Sequence, residues 1–212
     1  MITVKFLDGT TKNFWALKGA CLRGACLREA DFRKLDMRGV DLRDANLEGA
    51  HFEFANLEGA HFELANLEGA HFEDANLQRA HFEGANLQRA NFESASLEGA
   101  KFHNACLRRT NFEGASLTDA RFKRADLRGV IFSEADLSEV RNVILGPQRS
   151  DGYLFWLTHD GLDYMVCAGC RIFTFEEARE HWTETRGGTP LGDETMAILD
   201  YLEARKSSMI LE

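Results

Sequence analysis

From Ala20 to Glu139 the chain repeats every five residues, with no insertion or deletion. The unit is plainest in the middle, in Ala45-Asn46-Leu47-Glu48-Gly49 and Ala55-Asn56-Leu57-Glu58-Gly59. Between and after these come Ala50-His51-Phe52-Glu53-Phe54 and Ala60-His61-Phe62-Glu63-Leu64. Five residues advance an α-helix by about 140°, which scatters a recurring position around all sides. In a flat strand, successive members face opposite ways. A coil that turns a corner at each unit buries all of them, so the period predicts a solenoid.

The central column of the unit is Leu or Phe, from Leu22 to Leu137, and two residues earlier stands a small residue, mostly Ala. One large and one small inward residue per unit fill a narrow core at close-packed density. Leu35, Val40, Thr110 and Val130 interrupt the small column, and Met37 the large one, which predicts local widening of the coil.

With these residues in view, the sequence resembles the pentapeptide-repeat family, whose pattern is A-(D/N)-L-X-X, over 24 consecutive units. The resemblance implies an all-β solenoid, a right-handed quadrilateral β-helix with four units per coil. Six coils at the strand spacing make a rod roughly 29 Å long. Residues twenty apart then share a face. Phe62, Phe82, Phe102 and Phe122 form one ladder, and Phe32 through Phe132 another on the opposite face. These aromatics read as core rather than as a cofactor box, and no cofactor is expected.

Function therefore falls to the surface. The column after the central residue starts as Arg23, Arg28, Arg33, Arg38 and Arg43, then turns acidic from Glu48 to Glu73. Residues 45–100 hold ten acids against Arg79 and Arg89, a net of -8. Over about three coils, roughly 14 Å at the strand spacing, this approaches the linear charge density of B-DNA. Glu53, Glu73, Glu93 and Glu113 align on one face as the principal candidate stripe, with Glu63 and Glu83 in support. The family resemblance implies a DNA mimic, because its quinolone-resistance and mycobacterial members bind gyrase in this way. A solubilising surface is the plainer reading of the same charges.

The column before the central residue holds His51, His61, His71 and His81. Beside carboxylates they are expected to gain protons below about pH 6.5 and erode the negative waist. Metal binding is not expected there, since each glutamate is placed on its own flank. Cys21, Cys26 and Cys106 share this column and read as inert thiols.

The whole chain of 212 residues has 25 basic and 34 acidic side chains, a formal net charge of -9. That argues against non-specific binding to nucleic acid or anionic membrane. No apolar run approaches the roughly 18 residues of a membrane span, and Met1-Ile2-Thr3-Val4-Lys5 lacks a signal-peptide core. Five irregularly spaced cysteines suit a reducing cytosol, so a cytoplasmic location is expected.

Three regions are expected: an N-terminal cap over 1–19, the β-helix over 20–144 and a C-terminal module over 145–212. In the cap, a strand or hairpin turns at Asp8-Gly9, with Phe14 and Trp15 as a plug. In the module, strands at 153–157 and 164–168 flank an Asp160-Gly161 turn. A capping box at Thr174 opens one helix, and a second runs from about Asp193 to Arg205. This small α+β, ββαα unit is similar to a tail of uncharacterised bacteriophage proteins, which implies origin rather than activity. Cys167, Cys170, His159 and His181 form a minor zinc candidate, since a lone CxxC is a poor signal. The family also implies a homodimer through the C-terminal segment.

No nucleophile–base pairing or phosphate loop can be assembled, so no enzyme is expected. The leading expectation is an acidic binding protein for a DNA-binding partner, a topoisomerase such as gyrase or a host defence nuclease. The alternatives are a scaffold or phage decoy recognising partners through Trp182 or Tyr201, and small-molecule sequestration by an oligomer.

Overall fold

A computed structural model describes residues 2–5, 11–14, 16–147, 149–153, 155–159, 163–168 and 171–209, the first two stretches as backbone. The chain divides into two compact units, Met1–Glu139 and Val140–Glu212.

In the first unit, β1 (Ile2–Lys5) and β2 (Thr11–Phe14) pair antiparallel as a hairpin, Ile2 opposite Phe14. The expected Asp8-Gly9 turn, Trp15 and the side chain of Phe14 lie outside the described residues. The solenoid follows. Parallel bridges join residues twenty apart, from Cys21 with Asp41 to Ser116 with Asp136. Each rung is bonded in both directions: Leu47 N–H donates to Asn66 carbonyl at 2.7 Å and Asn46 N–H to Ala25 carbonyl at 2.9 Å. The corner is a turn closed by Ala50 N–H on Leu47 carbonyl at 3.0 Å. Its third residue has positive φ at every fifth position from Gly19 to Glu139. Glycine suits this conformation at Gly49, but Phe54 and Leu64 adopt it too, both at φ 61°.

The two Phe ladders form the core. Rings within a ladder stack, as for Phe52 and Phe72 at 4.8 Å and Phe62 and Phe82 at 4.9 Å. Rings of opposite ladders meet edge to face, as for Phe52 and Phe62 at 5.9 Å and 84°. Both arrangements suit the aromatic quadrupole. Phe52 through Phe122 are fully buried. The irregular small positions fit: Val40 and Thr110 are buried, and Thr110 donates its hydroxyl to Leu87 carbonyl at 2.9 Å. Leu35 instead stands exposed.

In the second unit, β3 (Val143–Leu145), β4 (Phe155–His159), β5 (Tyr164–Ala168) and β6 (Arg171–Phe173) make an antiparallel sheet in chain order. The two expected strands are β4 and β5. β3 and β6 are additional, and three-residue strands are too short to show a period in the sequence. The Asp160-Gly161 turn lies outside the described residues. Helix α1 (Phe175–Arg186) opens at Thr174, which accepts from Glu177 N–H while Glu177 accepts from Thr174 N–H. Helix α2 (Pro190–Ala204) starts three residues before the expected Asp193, with Pro190 where its missing N–H costs nothing. Ile198, Leu199 and Leu202 of α2 are buried with Phe155, Leu157 and Trp182.

Candidate functional site

The five-residue repeat sorts the surface columns by face. Asparagine or aspartate before the central residue accepts the backbone N–H two places on, as Asn46 Oδ1 does from Glu48 at 3.2 Å. Where histidine stands there, its Nδ1 faces the carboxylate two places on. His51 lies 3.2 Å from Glu53, His61 3.1 Å from Glu63 and His71 3.2 Å from Glu73. His81 Nδ1 is 3.6 Å from Glu83 and 3.8 Å from Glu63. The glutamates do not keep to separate flanks, as the sequence suggested. They lean back over the rungs, and the side chains of Glu53, Glu63, Glu73 and Glu83 are only 19–28% exposed. Burial pushes the His81 imidazole below the usual histidine range, so it gains its proton at lower pH than an ordinary histidine.

The acidic stripe occupies the face of the Phe52 ladder. Between residues 50 and 114 this face carries Glu53, Glu73, Asp74, Glu93 and Glu113 and no lysine or arginine. Asp74, Glu93 and Glu113 are exposed. Glu63 and Glu83 lie on the opposite face, where the outward column continues as Lys101 and Arg121. They therefore do not join the stripe.

The N-terminal arginines do not offset these acids, because each is held locally. Arg33, Arg38 and Arg43 grip Asp31, Asp36 and Asp41, each at 2.7 Å, and Arg23 and Arg28 grip Asp44 and Glu48, each at 2.8 Å. Hydrogen bonds from Arg38 hold Asp36 down to a pKa of about 2, and Arg33 and Arg43 depress Asp31 and Asp41 likewise. Among the described residues, Glu58, Glu68, Asp74, Glu93 and Glu113 have no ion-pair partner. The sequence showed the arginine column but not this cancellation, whose signal was the aspartate two places before Arg33, Arg38 and Arg43.

The C-terminal zinc candidate does not assemble among the described residues. Cys170 lies outside them. His181 Nε2 is 2.9 Å from Arg171 and its ring stacks on Phe173. His159 sits edge-on to Tyr164, and Cys167 is buried on β5. Trp182, expected as a recognition residue, is a core residue between Phe155 and Phe173. No helix among the described residues is long and apolar enough to cross a membrane.

Fold and surface together define a parallel β-solenoid whose chemistry lies in outward columns of fixed twenty-residue register. A family model for the pentapeptide repeat region matches residues 55–132. Alr5209, a pentapeptide repeat protein from Nostoc PCC 7120, is 30% identical over 40% of this chain and 74% of its own, with a TM-score of 0.22. The chain belongs to the pentapeptide-repeat family. A trypsin-treated variant of QnrB1, a plasmid-mediated fluoroquinolone resistance protein, is 19% identical with a TM-score of 0.45. That match covers 59% of this chain and 66% of QnrB1. HetL, involved in heterocyst differentiation regulation in the cyanobacterium Nostoc sp. strain PCC 7120, is 24% identical over 66% of this chain and 80% of its own, with a TM-score of 0.31. No curated protein sequence matches the chain.

Proposed function

We propose that this chain is a binding protein without catalytic chemistry, and that its acidic face engages the DNA-binding groove of a protein such as gyrase or a defence nuclease. The observation that carries this reading is the Phe52 face, with five acids and no lysine or arginine between residues 50 and 114. Its principal residues are Glu53, Glu73, Glu93 and Glu113, joined by Asp74. Charges set on a bonded framework need little ordering on binding, which favours affinity for a basic groove. Glu93, Glu113 and Asp74 meet the partner directly, while Glu53 and Glu73 supply field from slightly deeper. The proposal extends to six right-handed coils, a homodimer and a cytosolic site of action.

The test is competition with duplex DNA for purified gyrase. The wild-type chain is expected to displace DNA, and the triple variant Asp74→Lys/Glu93→Lys/Glu113→Lys to lose at least tenfold in affinity. The three positions are exposed, so the fold is retained. Unchanged competition by the variant overturns the reading. A wild-type chain that leaves gyrase alone but captures another DNA-displaceable protein from bacterial lysate would move the partner and keep the mechanism.

A further inference from the structure

Several carboxylate oxygens of the solenoid are shut off from solvent without a hydrogen-bond partner, among them the Oε2 atoms of Glu53, Glu63, Glu73 and Glu83. A charged oxygen removed from water and left unbonded is unfavourable, so each such atom requires an explanation. These four glutamates are also the ones that face imidazoles.

On the Phe62 face, the donor atoms converge across two adjacent rungs. His61 Nδ1 lies 3.1 Å from Glu63 Oε1, and His81 Nδ1 lies 3.8 Å from that oxygen and 3.6 Å from Glu83 Oε1. Zinc binds nitrogen and oxygen at about 2.0–2.2 Å, so neighbouring ligand atoms of a tetrahedral site stand about 3.3 Å apart. All three spacings lie within about half an ångström of that edge. The donor atoms of His61, Glu63 and His81 lie within 4.8 Å of one another. We propose that His61, Glu63 and His81, with Glu83 standing beside His81, bind one divalent transition-metal ion of the zinc class.

Two imidazole nitrogens beside two carboxylates suit a borderline ion rather than calcium or magnesium, which take oxygen ligands. The framework is already in place. Phe62 and Phe82 stack at 4.9 Å beneath the ligands, and His61 pairs with His81 in the parallel ladder. The ion would join two coils and stand beside carboxylate oxygens that now lack a partner. On the opposite face His51, Glu53 and His71 form a similar group of three, but there the fourth carboxylate is already engaged. Asn91 Nδ2 donates to Glu73 Oε1 at 2.6 Å, and the His51 and His71 rings lie parallel to within 7°. The His81 ring, by contrast, is tilted 40° from His61. Beyond His81 the column continues as Lys101, which confines this face to one ion.

The experiment is calorimetric titration of the metal-stripped full chain with Zn²⁺ alone, compared with His81→Asn and His71→Asn. Asparagine already fills this column at Asn86 and Asn91, so both variants keep the fold, which thermal denaturation checks. The wild type is expected to show a saturable event of one ion per chain. His81→Asn weakens it at least tenfold, and His71→Asn leaves it within twofold. Cobalt loading is expected to give tetrahedral ligand-field bands without thiolate charge transfer. Three outcomes overturn the proposal: no saturable binding by the wild type, binding lost in His71→Asn but kept in His81→Asn, or a thiolate–cobalt band that assigns the ion to cysteine.

Discussion

Asp41 shows how one residue serves both the backbone and the charge pattern. Its Oδ1 accepts from Arg43 N–H at 3.2 Å, as Asn46 does from Glu48, and its carboxylate also holds the Arg43 guanidinium. Asp41→Asn removes the second role and keeps the first. The Arg43 hydrogen bond holds the Asp41 pKa below the ordinary carboxylate range. A depressed carboxylate contributes stability above the unfolded value of about 3.9, and that contribution is lost as pH falls through the folded value. Asp41→Asn is therefore expected to lower the melting temperature at pH 7, the deficit shrinking only as the pH falls below the ordinary carboxylate range and through the depressed folded value. Because Arg43 is 43% exposed, solvent screening keeps the effect to about 1 kcal/mol or less. Thermal scans across pH check this. A deficit of the same size at every acid pH, with no decline as the carboxylate protonates, would place the loss in the turn rather than the ion pair.

At the scale of the element, the corner turn limits which residues the repeat accepts. Leu64 holds φ 61° with its side chain exposed, so it spends a strained backbone on no burial. Left-handed geometry costs a non-glycine residue roughly 1–2 kcal/mol. Leu64→Gly removes that cost but frees the unfolded chain by about 0.5–1 kcal/mol, leaving a net gain of between about 0 and 1.5 kcal/mol. Leu64→Val keeps the strain and adds β-branching, so the expected order of stability is glycine, leucine, valine by chemical denaturation. The five-residue period made the solenoid legible because every fifth side chain must go inward. The corner conformation was not legible, since glycine, Phe54, Leu64 and Arg79 all occupy it. The same limit applied to the site. The columns told which residues share a face, but not that Glu63 folds back to within 3.1 Å of His61. Side-chain lean depends on the rung spacing rather than on the order of residues. In the second unit, the capping box marked α1 to within a residue because both of its hydrogen bonds are local. β3 and β6, held by pairing to β4 and β5, had no local signal.

At the scale of the whole molecule, the net charge of -9 hides how the charge is arranged. Arg23, Arg28, Arg33, Arg38 and Arg43 pair with neighbouring acids, so the N-terminal coils contribute little field. Asp74, Glu93 and Glu113 are unpaired among the described residues and share one face. Of the two recognition residues expected in the second unit, Trp182 is a core residue. α2 turns Ile198, Leu199 and Leu202 inward, and Tyr201 lies under the Arg205 guanidinium at 3.6 Å. Removing residues 190–212 would therefore empty that unit's core. Salt separates the two recognition surfaces. The screening length shrinks from roughly 14 Å at 50 mM to about 5–6 Å at 300 mM salt, shorter than the spread of the acidic face. A partner held by that face is expected to bind at least tenfold more weakly at the higher salt, mainly through slower association. The triple charge-reversal variant would show almost no such slope. A partner docked on the second unit would give the same slope with and without the three substitutions, and surface-plasmon measurements at both salts distinguish the cases.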